Sequence, residues 1–169
     1  TFIVRSETVT QDGAPVCTQY STCLVRGEPS DLLLGEAPPP RPAVPKSDAV
    51  SSTYVLAQDQ TRRYADAAQD YSPYTIDPAA AAKVGFAAPL VHGMLTLCYA
   101  GRALVDGICG GEVARLKRLG CRFAHPLLLT TGQTVTVDHW QGDGGLAGFE
   151  ARDRDGNLVI RNGYAEVSA

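Results

Sequence analysis

The sequence predicts an α+β fold in which an antiparallel sheet wraps one long buried helix, and three observations carry this. The run LVHGMLTLCYAGRALVDGI, beginning at Leu90, is apolar nearly all round, as a helix enclosed by other structure is. After Gly110-Gly111, the segments VARLKRLGCRF and QTVTVDHW and a closing hairpin read as three or four strands separated by turn residues. One helix followed by consecutive antiparallel strands hides its apolar surface by lying in the concave face of the sheet they form.

Taken in order, FIVRSETV alternates like a strand, Gln11-Asp12-Gly13 supplies turn chemistry, and VCTQYSTCLV alternates again, so a hairpin is expected first. The C-terminus repeats the design: GFEAR leads into Asp153-Arg154-Asp155-Gly156-Asn157, and LVIRNGYAEV follows. Laying Asp12-Gly13 on Asp155-Gly156 puts Val16 on Val159 and Leu24 on Val167, a weak self-similarity between two hairpins. Between them EPSDLLLGEAPPPRPAVPKSD is too rich in proline to continue a sheet or helix and reads as an extended connector. The expected organisation is therefore 1–27 as the last hairpin of an incomplete preceding module, 28–50 as a Pro-rich linker, and 51–169 as the complete module.

Within that module SSTYVLAQ opens as a strand. DQTRRYADAAQ has helix formers at helical spacing, with Tyr64, Ala67 and Ala68 expected on one side. Asp77-Pro78 is a helix start, with Asp as cap and Pro at the first helical position, and Gly85 closes a short helix from Pro78 to Val84.

Composition narrows function. A formal charge of −3 over 169 residues argues against a nucleic-acid or anionic-membrane surface, which selects clustered Lys and Arg. The mostly apolar run from Phe86 to Val105 is interrupted by His92, Gly93, Gly101 and Arg102 and reads as core, not as a membrane span, and no signal peptide is recognisable. The five cysteines have neither C-x-x-C nor Cys/His spacing suited to zinc, so free thiols in a reducing cytoplasm are expected and a metal site is not.

The chemistry gathers between residues 69 and 94, QDYSPYTIDPAAAAKVGFAAPLVHGM. Here Asp70, Ser72, Pro73, Tyr74, Thr75 and Asp77 are followed by Gly85-Phe86 and then by Pro89, His92, Gly93 and Met94. This arrangement resembles the MaoC-type (R)-specific enoyl-CoA hydratase and 3-hydroxyacyl-thioester dehydratase family of the hot-dog fold. That family carries Asp-x-Asn-Pro-(aliphatic)-His-x-Asp, a short helix ending in Gly-Phe, and Pro-(aliphatic)-x-His-Gly-(Leu/Met). LGCRFAHPLLLTTGQTVTV resembles the family's strand in which Pro and Gly flank a turn. The likeness covers roughly residues 50–169, and the N-terminal hairpin and connector resemble the junction of two-module members.

Reversible hydration of a 2-enoyl thioester needs a base for water at C3, a proton source at C2, and donors that polarise the carbonyl. The resemblance implies Asp70 as the base and the Gly93 N–H, near a helix N-terminus, as the donor to the developing enolate oxygen. It implies a substrate on coenzyme A or a carrier protein, no metal or redox cofactor, and pairing with a second module or as a homodimer, since a lone module leaves a sheet edge open.

The departures are Thr75 where the family has His, Ser72 where it has Asn, and Tyr74 where it has an aliphatic residue. A threonine hydroxyl can donate a hydrogen bond or hold a water but does not titrate near neutrality. Thr75 therefore joins Asp70 and Gly93 as a candidate catalytic residue in a positioning role, and Ser72, which could also position, joins Tyr74, His92 and Met94 as candidate substrate contacts. Three readings stay open: a dehydratase in which Asp70 makes both proton transfers, a site turned to another carbonyl reaction in biosynthesis, and a non-catalytic subunit assembling with an active partner.

Bland alternatives stand beside each. An Asp before Ser-Pro caps turns, and a His opening a buried helix is commonly satisfied by backbone. Tyr71 and Tyr74 fit packing as well as an acyl pocket. Arg115, Lys117, Arg118 and Arg122 fit a solvated strand face as well as a phosphate contact. Arg102 and Asp106 form an i,i+4 pair, and His125 and His139 are expected at strand ends facing solvent or a neighbour.

Overall fold

A computed structural model describes residues 2–23, 27, 35 and 37–169. The chain divides into two units, Thr1–Pro40 and Arg41–Ala169. In the first, β1 (Phe2–Val9) pairs antiparallel with β2 (Pro15–Cys23). Leu24, Val25 and the greater part of the connector's first half lie outside the described residues.

The likeness of the two hairpins extends to their turns. Thr10 N–H bonds Ala14 O at 2.8 Å and Gly13 N–H bonds Thr10 O at 2.9 Å, while Ala14 N–H reaches Thr10 Oγ1 at 3.0 Å. At the corresponding C-terminal positions Asp153 N–H bonds Asn157 O at 3.0 Å, Gly156 N–H bonds Asp153 O at 3.1 Å, and Asn157 N–H reaches Asp153 Oδ1 at 2.8 Å. Gly13 and Gly156 take φ of 80° and 86°, the left-handed conformation that the turn demands.

The second unit contains β3 (Val50–Val55), α1 (Gln60–Ala68), α2 (Pro73–Ile76), α3 (Pro78–Lys83), α4 (Gly93–Gly107), β4 (Leu116–Phe123), β5 (Thr134–Gln141), β6 (Leu146–Asp153) and β7 (Leu158–Val167). The five strands form one antiparallel sheet in the order β3-β5-β6-β7-β4. Alternation puts Val135, Val137 and His139 of β5 and Ala147, Phe149 and Ala151 of β6 among the buried residues, and α4 buries Leu95, Thr96, Ala100, Ala103 and Leu104. Two missing side chains allow the close packing. A Cβ at Gly163 would stand 2.6 Å from the Phe149 ring, and one at Gly107 would stand 2.3 Å from His139.

That second contact narrows one expectation. His139, near the end of β5, lies 3% exposed and faces the end of α4; of the two surroundings expected for it, solvent or a neighbour, the structure shows the neighbour. Burial lowers its pKa from 6.5, partly opposed by Asp138.

The long helix is also shorter than its apolar run. Leu90–His92 is extended because its neighbours bond another segment: Val91 N–H to Leu127 O at 2.8 Å, and Leu129 N–H to Pro89 O at 2.8 Å. On α1 the buried residues are Thr61 and Ala65, with Tyr64 half-buried beside them, while Ala67 and Ala68 are exposed. Asp77 caps α3 as expected, its Oδ1 accepting from Ala79 N–H at 2.9 Å. Among the described residues no helix is long and apolar enough to cross a membrane, and all five cysteines are unpaired.

Candidate active site

The site is assembled where the chain leaves α1. Gln69 ends that helix in the left-handed conformation, φ 56°, and turns the backbone outward at Asp70. Pro73 then opens the single turn of α2, which buries Thr75 and leaves Tyr74 exposed. Leu90 N–H bonds Tyr74 O at 3.0 Å, tying this turn to the extended segment that delivers His92 and Gly93 to the start of α4.

Asp70 is an exposed carboxylate held by its neighbour. Its Oδ1 accepts from Ser72 Oγ–H at 2.7 Å and from Ser72 N–H at 3.2 Å. The Ser72 hydroxyl, then the Ser72 amide, hold its carboxyl below the usual carboxylate range, with a smaller contribution in the same direction from His92. The group is consequently ionised at neutral pH and able to accept a proton.

Thr75 and His92 lie behind it, 3% and 5% exposed. The Thr75 hydroxyl donates to Ser72 O at 2.6 Å. Its oxygen stands 3.0 Å from His92 Nε2, which is also 3.1 Å from the backbone oxygen of Asp70. Thr75 therefore spends its single proton inside the protein, and its side chain has none to offer a ligand. His92 packs its ring on Tyr64, centroids 4.8 Å apart. Its Nδ1 is buried without a hydrogen-bond partner, an omission that costs about 1–3 kcal/mol unless compensated.

All seven site residues predicted from the sequence, Asp70, Ser72, Tyr74, Thr75, His92, Gly93 and Met94, line one cavity of about 240 Å³. Leu90, Val91 and Phe123 complete its wall. Phe123 carried no signal in the sequence beyond an aromatic at a strand end, yet its ring lies 3.3 Å from where a Gly93 Cβ would stand. The same ring borders a second cavity of about 350 Å³ that shares Leu90, Val91 and Gly93 and runs on to Leu127 and Val159. The first amides of α4 have no acceptor within the helix, and His92 offers them no side-chain cap, so a partial positive charge faces this wall.

Other candidates fall outside. Tyr71 does not line either cavity. Arg115 bonds Ser168 O and Cys109 O, and Arg118 pairs with Glu166 at 2.9 Å. Arg102 and Asp106 form the expected i,i+4 pair at 3.5 Å, and His125 is exposed at the rim of the second cavity. Among the described residues no group of three His, Cys, Asp or Glu could hold a metal ion.

A five-stranded antiparallel sheet closed over one long helix, with a carboxylate and a helix N-terminus on one cavity, defines a hot-dog domain of the dehydratase kind. The MaoC like domain model matches residues 36–157, and the chain belongs to that family.

Among curated proteins it is 30% identical over 121 residues to the probable enoyl-CoA hydratase 2 of Dictyostelium discoideum, covering 71% of this chain and 40% of that protein. It is 30% identical over 169 residues to 3-hydroxyacyl-thioester dehydratase Y of Mycobacterium tuberculosis, covering 94% of this chain and 56% of that one. A crystal structure of a MaoC-like dehydratase from Phytophthora capsici superposes with a TM-score of 0.88 at 28% identity, over 98% of this chain and 58% of that one. The chain thus spans roughly half the length of these relatives.

Proposed function

We propose that this chain carries out reversible hydration of a 2-enoyl thioester, or dehydration of the 3-hydroxyacyl thioester, borne on coenzyme A or a carrier protein. The observation that supports it most directly is the Asp70 carboxylate, kept ionised by Ser72 on the cavity that the N-terminus of α4 also faces. In hydration, Asp70 takes a proton from water as the oxygen bonds C3. The C2–C3 π electrons shift toward the thioester carbonyl, whose developing negative charge is met by the Gly93 N–H. Asp70 then returns the proton to C2, so the elements of water are added and the carboxylate is regenerated. No oxidation state changes overall, and the reading invokes no metal or redox group.

Thr75 supports a slower version of this chemistry than an imidazole would allow. Its hydroxyl is buried and committed, so one carboxylate makes both transfers, and general acid–base help of about 10²- to 10⁴-fold from a second group is forgone. The same fact favours a second reading, a subunit that shapes the acyl tunnel for an active partner. Either reading includes pairing, because β3 and β4 are unpaired sheet edges within this unit. The matching turns of the two hairpins support taking 1–27 as the closing hairpin of another such module, joined by the 28–50 linker to the domain at 51–169. Five unpaired cysteines suit a reducing compartment such as the cytoplasm.

The test is hydration of a short trans-2-enoyl-CoA, followed as loss of absorbance of the conjugated thioester. Turnover by the wild type that Asp70→Asn abolishes supports catalysis by this chain. A silent wild type that still binds the thioester, and that Thr75→His does not awaken, refutes catalysis and leaves the subunit reading.

A further inference from the structure

The hydrogen bonds around His92 fix which ring nitrogen carries its proton. Nε2 has two neighbours, Thr75 Oγ1 at 3.0 Å and Asp70 O at 3.1 Å. The second is a carbonyl oxygen and can only accept. The first has already given its hydrogen to Ser72 O at 2.6 Å, so toward the ring it too can only accept. Two acceptors require a donor between them. His92 is therefore protonated at Nε2, while Nδ1 is buried without a partner.

This pattern has a mechanical consequence for the carboxylate. The Nε2–H holds the backbone of Asp70 directly and, through Thr75 Oγ1, the carbonyl of Ser72. Ser72 in turn grips the Asp70 carboxylate with both its hydroxyl and its amide. His92 is also the residue immediately before Gly93, so one imidazole couples the acceptor of the proton to the start of α4, across the 22 residues that separate Asp70 from His92. In this position the ring acts on the carboxylate through the backbone of Asp70 and through Ser72.

Resting on the thioester reading above, we propose that His92 is the positioning residue of this site: through its Nε2–H it bridges Thr75 and the Asp70 backbone and so fixes the Asp70 carboxylate relative to the Gly93 amide. The imidazole missing at position 75 is in this way replaced from behind, in an orienting and not a proton-transferring role. The arrangement also assigns Thr75 its place, as the second acceptor of Nε2–H beside Asp70 O, which valine could not supply and serine could.

Two substitutions separate the hydrogen bond from the ring that carries it. His92→Phe keeps an aromatic against Tyr64 but removes the donor; His92→Gln removes the ring but can present an N–H near the former Nε2. The expected result is a fall in kcat of about 10- to 10²-fold for His92→Phe with KM changed less than about threefold, and recovery of most of that loss in His92→Gln. Nitrogen-15 NMR of the wild type should show a protonated Nε2.

An unprotonated Nε2 overturns the proposal, as does a folded His92→Phe that keeps the kcat which His92→Gln loses, since ring packing alone would then account for His92; equal loss in both folded variants overturns it too, because the restored N–H would then position nothing. Failure of the underlying thioester reading looks different: the wild type itself is inactive, or Asp70→Asn retains activity, and the positioning role falls with it.

Discussion

Replacing Thr75 by valine removes one oxygen at nearly constant volume and tests whether that oxygen positions or reacts. The hydroxyl takes part in two bonds, to Ser72 O at 2.6 Å and with His92 Nε2 at 3.0 Å, in a side chain 3% exposed. Neither partner is orphaned by its loss, because Ser72 O keeps the Thr75 amide at 3.0 Å and Nε2–H keeps Asp70 O at 3.1 Å. Two net hydrogen bonds at about 0.5–1.5 kcal/mol each give a loss of about 1–3 kcal/mol, offset by up to about 0.8 kcal/mol for the added buried methyl. A net loss of about 0.2–3 kcal/mol lowers Tm by up to about 12 °C in a chain of this size. Differential scanning fluorimetry measures that shift, and enoyl-CoA hydration measures the rest: kcat should drop about 10-fold, with Thr75→Ser close to wild type in both assays. A loss of about 10³-fold or more in a stably folded Thr75→Val would refute the reasoning, because it would mean that the threonine proton is transferred in the reaction. Unchanged stability would equally show that the two bonds contribute no more than the added methyl returns.

Other perturbations follow from the same geometry. Ser72→Ala removes the hydroxyl that does most to hold the Asp70 carboxyl below its ordinary range, so the charged form is less favoured and its pKa rises. The acid limb of the kcat/KM profile should move to higher pH, and a limb that stays in place would detach Asp70 from the rate. Phe123→Ala opens the wall between cavities of about 240 and 350 Å³, so the preference among trans-2-enoyl-CoAs should move toward longer chains, read as kcat/KM against chain length; a uniform drop at every length would contradict that role. His139 is held neutral by burial, its folded pKa below the 6.5 of an unburied imidazole. The unfolded chain binds more protons once pH falls below about 6.5, so stability declines there with acidification, and His139→Gln should flatten the Tm-versus-pH curve between pH 7 and 5. Gly107→Ala should destabilise the fold, because the new methyl meets the same ring at 2.3 Å.

Much of this molecule was legible along the chain, and what was legible shares a physical cause. The turn at Asp155-Gly156, the cap at Asp77, and the alternation of QTVTVDHW depend on contacts within a few residues, where backbone preference and side-chain period decide. The spacing of Asp70, Thr75, His92 and Gly93 was likewise sufficient to name the family and to bring seven candidates to one cavity. Local pattern was less informative where partners are distant. Leu90–His92 looks helical by composition, but pairing with Leu127–Leu129 holds it extended. Tyr64 faces the core as expected on α1 while Ala67 and Ala68 do not, because the docking angle of that helix is set by what it packs against.

The sequence by itself determined the α+β class, the two like hairpin turns, and the short motif whose residues line one cavity, since composition and short-range geometry are enough for those. Tertiary structure alone decided their protonation and orientation: Ser72 on the Asp70 carboxylate, the committed proton of Thr75, the Nε2–H of His92, and Phe123 across Gly93. These depend on hydrogen bonds and contacts between segments up to tens of residues apart, and a hydrogen bond's donor is known only once all of its neighbours are in place.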